Sequence, residues 1–132
     1  MNLAISRILF FVFLCSPAME IIAATCDNPA TQLQMSQCAA QELTEANKSL
    51  NKAYAELRGR LSDAQKVKLR KAQAAWIKFR DLDCAFESSA AEEGSAHGLV
   101  MQNCLIKKTK SRIGELKEML NCPEGDLGCP AG

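Results

Sequence analysis

The sequence contains few of the residues that interrupt helices or favour strands. Proline is absent between residues 30 and 122, and aromatic side chains make up only 5% of the chain. Strands are enriched in aromatic and β-branched residues and are bounded by turn residues, so these absences exclude a predominantly β-sheet domain. A long stretch without proline is compatible with extended helices. No internal repeat or glycine-rich linker divides the chain, which indicates one domain.

Residues that carry chemistry are equally scarce. The chain has one histidine, His97, no C-x-x-C pair and no glycine pattern of a nucleophile elbow. Zinc sites and nucleophilic active sites depend on such motifs, so we expect no metal ligands, no cofactor and no catalytic residues. The net charge of +1 gives no basic excess for a nucleic-acid backbone or an anionic membrane surface. These features argue against an enzyme and against a nucleic-acid-binding protein.

Long apolar runs are also missing, apart from ILFFVFLC at residues 8–15. This run follows Arg7, is far shorter than the roughly 20 residues of a membrane-spanning helix, and leads to small residues that end at Ala24. That order is typical of a secretory signal peptide, which we predict over residues 1–24, with a weaker cleavage site at Ala18.

A lipid anchor is disfavoured by the residue before the first cysteine. Lipid attachment at Cys15 would require a small residue where Leu14 stands. We therefore expect a soluble periplasmic or secreted protein that has no membrane contact after its signal peptide is removed.

The remaining sequence contains helical periodicity. Three stretches, from about Thr31 to Leu61, Asp63 to Ser88 and Gly98 to Asn121, repeat apolar residues at intervals of three and four. In the first stretch these residues are Met35, Ala39, Leu43, Ala46, Leu50, Ala53, Leu57 and Leu61. In the second they are Val67, Leu69, Trp76, Ile77, Phe79 and Leu82, and in the third Met101, Leu105, Ile113, Leu116 and Leu120. Short connections place neighbouring helices antiparallel, so we predict an all-α fold, a small antiparallel three-helix bundle over residues 25–121.

The cysteines indicate that disulfides brace this bundle. An even number in a short exported chain is typical of a disulfide framework, and six follow the signal peptide: Cys26, Cys38, Cys84, Cys104, Cys122 and Cys129. In the predicted bundle the first four lie near one end. Four cysteines allow three pairings that the sequence does not distinguish, and we favour Cys26–Cys84 with Cys38–Cys104. Cys122 and Cys129 are predicted to close a separate loop in the tail, residues 122–132.

One helix face combines residues that are usually buried with residues that are usually exposed. Gln73, Trp76, Arg80 and Cys84 follow one another at intervals of three, four and four. In one interpretation the face points inward, and the arginine head pairs with an acid on the first helix, Glu42 or Glu45. In the other, Arg80 is offered to a carboxylate of a partner protein.

This pattern resembles the lysozyme inhibitor LprI family. The resemblance covers about residues 26 to 120 and rests on Cys26, Cys38, Leu50, Asn51, Tyr54, Leu57, Leu69, Gln73, Trp76, Arg80, Cys84, Cys104, Arg112 and Leu116. It implies a helical, disulfide-braced periplasmic or surface domain, and inhibition of animal-type lysozyme is attributed to the founding member. We interpret six of these side chains as parts of the scaffold: Asn51, Tyr54, Gln73, Trp76, Arg80 and Arg112. The tail pair Cys122 and Cys129 lies outside the family pattern.

The segment between the second and third helices is the candidate surface for a partner. Residues 87–98 have the sequence ESSAAEEGSAHG, and the residues of interest are Glu87, Glu92, Glu93, Ser95 and His97. Animal lysozymes are basic and hold two catalytic carboxylates in their cleft, so acidic residues would steer the approach and a donor would reach the cleft. The alternative is a solvated connection without a partner.

Two classes of function follow. The first is a protein inhibitor of lysozyme or of another cell-wall hydrolase, with no cofactor and no nucleic-acid partner. The second is a structural or accessory envelope protein without inhibitory activity.

Overall fold

The computed structural model describes residues 26–123 and 125–131, and this part of the chain is all-helical. It contains α1 (Gln32–Gly59), α2 (Asp63–Ser88), a 3₁₀ turn (Ser89–Ala91) and α3 (His97–Leu120). These bounds lie within about two residues of the predicted ones, and no strand occurs among the described residues. The predicted signal peptide, its cleavage sites and Cys15 lie outside the described residues.

Reciprocal capping fixes where the first two helices begin. The Thr31 hydroxyl accepts from the Gln34 backbone N–H at 3.2 Å, and the Gln34 side chain accepts from the Thr31 backbone N–H at 3.2 Å. Ser62 and Gln65 repeat this capping box at the start of α2. Each box satisfies backbone N–H groups that have no partner within the helix. The Ser62 capping box therefore starts α2 after a turn of only three residues.

The core lies between α1 and α3 and includes the start of α2. Its buried cluster consists of Leu50, Ala53, Leu57, Leu61, Leu69 and Leu116. Tyr54, Trp76 and Ile113 pack against this cluster while remaining half-buried. The predicted stripe of α1 is buried at every position except Leu43, which is half-buried, and Met35, which is 38% exposed. Helical spacing of small and apolar residues therefore identified the inner face of α1 correctly.

Cross-helix contacts agree with an up-down-up arrangement. Contacts between α1 and the segment that contains α3 follow the same order along both. Gln32, at the start of α1, bonds to Ser95 just before α3, and Glu42 pairs with Lys110 further along. Along α2 and α3 the order is reversed: Gln73 contacts Arg112, Cys84 is bonded to Cys104, and Ser88 contacts His97. α3 thus packs against both of the other helices.

The apolar positions of α2 do not form a buried face. Val67, Ile77, Phe79 and Leu82 are 43%, 39%, 58% and 62% exposed, and among the predicted apolar positions only Leu69 is buried. The buried residues of α2 are Leu69, Gln73, Cys84 and Ser88, which lie along one helix face. The inner face of α2 therefore combines two polar side chains, Gln73 and Ser88, with Leu69 and Cys84.

The favoured disulfide pairing was wrong. The bonds join Cys26 to Cys38 and Cys84 to Cys104, with 5.6 Å between the α-carbons of each pair. Proximity at one end of the bundle was not sufficient to choose partners, because the chain before α1 turns back over the first turns of the same helix. A short loop also costs less entropy to close than a long one. The predicted tail bond, Cys122–Cys129, is present.

The tail covers the end of the bundle that holds the turn between α1 and α2. The Gln65 side chain donates to the Pro130 carbonyl at 2.9 Å, and Ala131 packs against the core. Gly125 has a φ of +85°, a conformation that glycine adopts without steric cost and that turns the chain back. The disulfide loop therefore packs onto the helical domain.

We predict that the three disulfides are reduced in order of exposure. Cys26 is exposed, whereas Cys84 is 0% and Cys104 is 8% exposed, so a thiol reductant reaches the first bond before the second. Stepwise reduction with dithiothreitol, followed by alkylation and peptide mass spectrometry, should label Cys26 and Cys38 first and Cys84 and Cys104 last. In urea the differences in labelling between the three disulfides should largely disappear. Labelling of Cys84 before Cys26 in the native protein would contradict the prediction.

Candidate functional site

Trp76 is the centre of a polar cluster between α2 and α3. The Arg80 guanidinium carbon lies 5.3 Å from the centroid of the Trp76 ring, and that of Arg112 lies 5.9 Å from it. At these distances the ring attracts a cation through its quadrupole. Two arginines from two different helices therefore share one half-buried tryptophan.

Arg80 contacts three hydrogen-bonding partners around this ring. Its Nη1 donates to Thr109 Oγ1 at 3.2 Å and to Asn47 Oδ1 at 3.4 Å, and its Nη2 lies 2.8 Å from Asp81 Oδ1. The acid partner is thus a neighbour on the same helix, and the expectation of Glu42 or Glu45 was wrong. Those two carboxylates pair with Lys110 and Lys48. Arg80 instead links α2 to α3 and α1 through neutral side chains.

Arg112 makes the second link between α2 and α3. Its Nε donates to the buried Gln73 side-chain carbonyl at 3.2 Å, and its Nη1 lies 2.6 Å from Glu115 Oε2. Burial of the Gln73 amide is tolerable because the amide oxygen has this partner. Of the other residues assigned to the scaffold, Tyr54 packs on the core and Asn51 is exposed.

We predict that Arg80→Ala destabilises the domain by about 1–3 kcal/mol, because the buried Thr109 hydroxyl loses a partner and Trp76 loses a cation. Arg70→Ala, which removes an exposed arginine of the same helix, should change the free energy of unfolding by less than about 0.5 kcal/mol. Urea denaturation of both variants and the parent measures this difference. Equal stability of all three would show that the Arg80 contacts are not structural.

The segment predicted to meet a partner divides into engaged and exposed residues. Ser95 bonds to the Gln32 side chain at 3.3 Å, and the His97 Nε2 lies 3.2 Å from the hydroxyl of Ser88, which is fully buried. His97 therefore has a partner inside the domain, whereas Ser95 and its partner Gln32 are both exposed. Glu92 and Glu93 are exposed in the connection between the 3₁₀ turn and α3.

Glu87 belongs to the last turn of α2 and is engaged as well. Lys108 of α3 pairs with Asp83 and lies 2.9 Å from Glu87 Oε1. The hydrogen bond with Asp83 and then that with Glu87 raise the pKa of Lys108 above its usual value of 10.5. Sequence reasoning missed Asp83 and Lys108, although the spacing of Asp83 and Glu87 by four residues places both carboxylates on one helix face.

The raised pKa predicts a stability effect that disappears at alkaline pH. Protonated Lys108 is favoured in the folded state, so its contribution is complete below about pH 10.5 and is lost as the pH rises through the higher folded-state pKa. Lys108→Met should therefore be less stable than the parent by a constant amount between about pH 7 and about pH 9. Above about pH 10.5 this difference should narrow.

Urea denaturation across this pH range measures the effect, and Lys78→Met, which removes an exposed lysine of α2, is the control. If the difference in the free energy of unfolding between Lys108→Met and the parent stayed the same above about pH 10.5, it would contradict the assignment of this effect to protonated Lys108.

The acidic residues concentrate at one end of α2. Residues 79–98 contain a single arginine, Arg80, against five carboxylates: Asp81, Asp83, Glu87, Glu92 and Glu93. The opposite end of the same helix carries Lys66, Lys68, Arg70 and Lys71. A net charge near zero therefore hides a molecule with one acidic and one basic end, and the acidic end contains the candidate surface.

Neither a candidate metal cluster nor a membrane-spanning helix occurs among the described residues. No group of three or more histidine, cysteine, aspartate or glutamate side chains is placed there to hold a metal ion. None of the helices in residues 26–123 and 125–131 is both long and apolar enough to cross a membrane.

Comparisons with known proteins cover the same helical domain. A family model described as lysozyme inhibitor LprI matches residues 24–116. An uncharacterized protein of Rhizobium meliloti (strain 1021) is 30% identical over 112 residues, which cover 75% of this chain and 81% of that protein. No solved structure matches the chain.

Proposed function

The chain belongs to the lysozyme inhibitor LprI family, and we propose that it binds and inhibits a lysozyme or a related peptidoglycan hydrolase. The observation that carries this proposal is the extent of the family match, which runs from before Cys26 to Leu116 and so includes α1, α2 and most of α3. This family is one of inhibitors rather than of catalysts. A scaffold without a catalytic constellation on its sequence is compatible with that role.

The location that we propose for the protein is the periplasm or the exterior of the cell. Proteins of this family are typically exported, and the sequence of residues 1–24 has the order of charged, apolar and small residues found in signal peptides. Three disulfides brace the described domain, and such bonds persist in oxidising compartments outside the cytosol. Cell-wall hydrolases act in the same compartments.

The acidic end of the domain is the surface that we propose for first contact with the target. Glu92 and Glu93 are exposed, and they lie in a short connection whose neighbours are fixed by the Cys84–Cys104 bond and by the Lys108 ion pairs. Opposite charges on inhibitor and basic enzyme accelerate encounter, and a connection held on a rigid base loses little entropy on binding. His97 contacts the buried Ser88 hydroxyl, so we assign it a supporting role, whereas the exposed Ser95 stays a candidate for direct contact.

A non-inhibitory envelope protein is the competing function, and inhibition of an animal-type lysozyme separates the two. Purified mature protein should slow the clearing of a bacterial cell suspension by the enzyme. An intact domain with no effect on the enzyme and no binding to it would favour the accessory role.

The contribution of the acidic end can be tested with a charge-matched pair of variants. Glu92→Gln with Glu93→Gln should slow association with the lysozyme, and it should make the association rate less sensitive to salt, because exposed charges are screened beyond roughly 8–10 Å at physiological ionic strength. Glu56→Gln with Glu118→Gln removes the same charge at the opposite end of the bundle and should have little effect. Association rates at low and high salt measure the difference. If both pairs behave alike, steering does not come from the acidic end.

A further inference from the structure

Both phenylalanines of the described residues lie on the surface. Phe79 is 58% exposed and Phe86 is 77% exposed, and Leu82 between them is 62% exposed. Their spacing of three and four residues places them on one side of α2, which we call the α2 stripe. The core of this aromatic-poor domain contains no phenylalanine among the described residues. Large apolar side chains grouped on a surface are typical of an interaction site.

The opposite side of the same helix segment is held firmly. Cys84 is bonded to Cys104, Arg80 bonds to the buried Thr109, and Lys108 pairs with two carboxylates of α2. These contacts fix the rotation of α2 about its own axis. The α2 stripe therefore faces solvent because the inner face is fully committed to α3, and rotating it inward would break a covalent bond. It spans about 10 Å along the helix, since each residue adds about 1.5 Å.

The charges around the α2 stripe indicate the chemistry of its partner. The end of the domain that carries the stripe contains four exposed carboxylates. Asp81 pairs with Arg80, and Glu87 pairs with Lys108, which also lies 5.8 Å from the centroid of the Phe79 ring. Glu92 and Glu93 have no ion-pair partner among the described residues and give this end its acidic character. A partner with a basic surface around an apolar depression fits this patch. Its basic residues would meet the carboxylates of the rim, and its depression would bury the apolar side chains.

A second copy of the chain fits less well. In an antiparallel two-fold pair of α2 helices, each edge of the stripe meets the same edge of the other copy. Lys78 lies along one edge, and that edge would bring the lysines of the two copies together, whereas Asp83 and Glu87 on the other edge are already paired with Lys108 of their own copy.

We propose that the α2 stripe is the apolar contact by which the domain holds a basic lysozyme, with the neighbouring carboxylates as its rim. This inference rests on the proposed function and names the surface that performs it. Aromatic side chains are over-represented among the residues that dominate binding energy, and a rim of polar groups excludes water around them. The carboxylates then determine how fast the complex forms, and the stripe determines how long it lasts.

The test compares three proteins: the parent, a double variant with Leu82→Ser and Phe86→Ser, and the control variant Val67→Ser. Val67 is a 43% exposed apolar residue of the same helix at its basic end. The double variant should raise the inhibition constant for a basic animal-type lysozyme at least tenfold, mainly through faster dissociation measured on the immobilised enzyme. Association should change little, unlike the effect of replacing Glu92 and Glu93. Circular dichroism should show an unchanged fold, since both side chains are exposed.

Three outcomes would overturn the inference in distinguishable ways. If the parent neither binds nor inhibits the lysozyme, both the proposed function and the stripe as its contact are wrong. If the parent inhibits and the folded double variant inhibits equally, the function stands and the contact lies elsewhere. If sedimentation shows a parent dimer that the double variant converts to a monomer without loss of inhibition, the stripe is a self-association surface.

Discussion

The attachment of α2 to α3 is the constraint on which the rest of this structure depends. It is made by one buried disulfide and by polar side chains around Trp76, rather than by an apolar seam. Gln73 and Ser88 are buried in that interface, and each has a hydrogen-bonding partner. Buried polar groups of this kind stabilise a single arrangement because any other rotation of the helix would leave them unpaired.

This form of attachment explains why a small domain can expose so much apolar surface. The buried core is small, and the three disulfides add stability by restricting the unfolded chain. The core is formed mainly by leucines and alanines of α1 together with Leu69 and Leu116. The phenylalanines of α2 are consequently not required for the core, and they are available on the outer face.

The same end of the molecule combines three properties that suit a protein-binding surface. It is acidic, it carries the exposed α2 stripe, and it is braced by the Cys84–Cys104 bond. Carboxylates act over distances of several ångströms through water, whereas apolar side chains act only on contact. The two kinds of residue therefore contribute to different stages of association, and a rigid base keeps them in a fixed relation.

The sequence by itself determined the helices, the inner face of α1 and the family. Helical spacing acts over a few residues, so the three helices could be placed without knowledge of the fold. Tertiary structure alone decided the disulfide partners of Cys26 and Cys38 and the partners of Arg80. The face of α2 that carries Gln73 and Cys84 is interpreted as inward from its spacing, and it is the buried one. In α2 the apolar pattern was misleading, because a helix attached through polar and covalent contacts does not have to bury its most hydrophobic residues. Which partners the polar side chains of α2 find depends on the positions of side chains on other helices, such as Thr109, Lys108 and Arg112, and spacing within α2 carries no information about them.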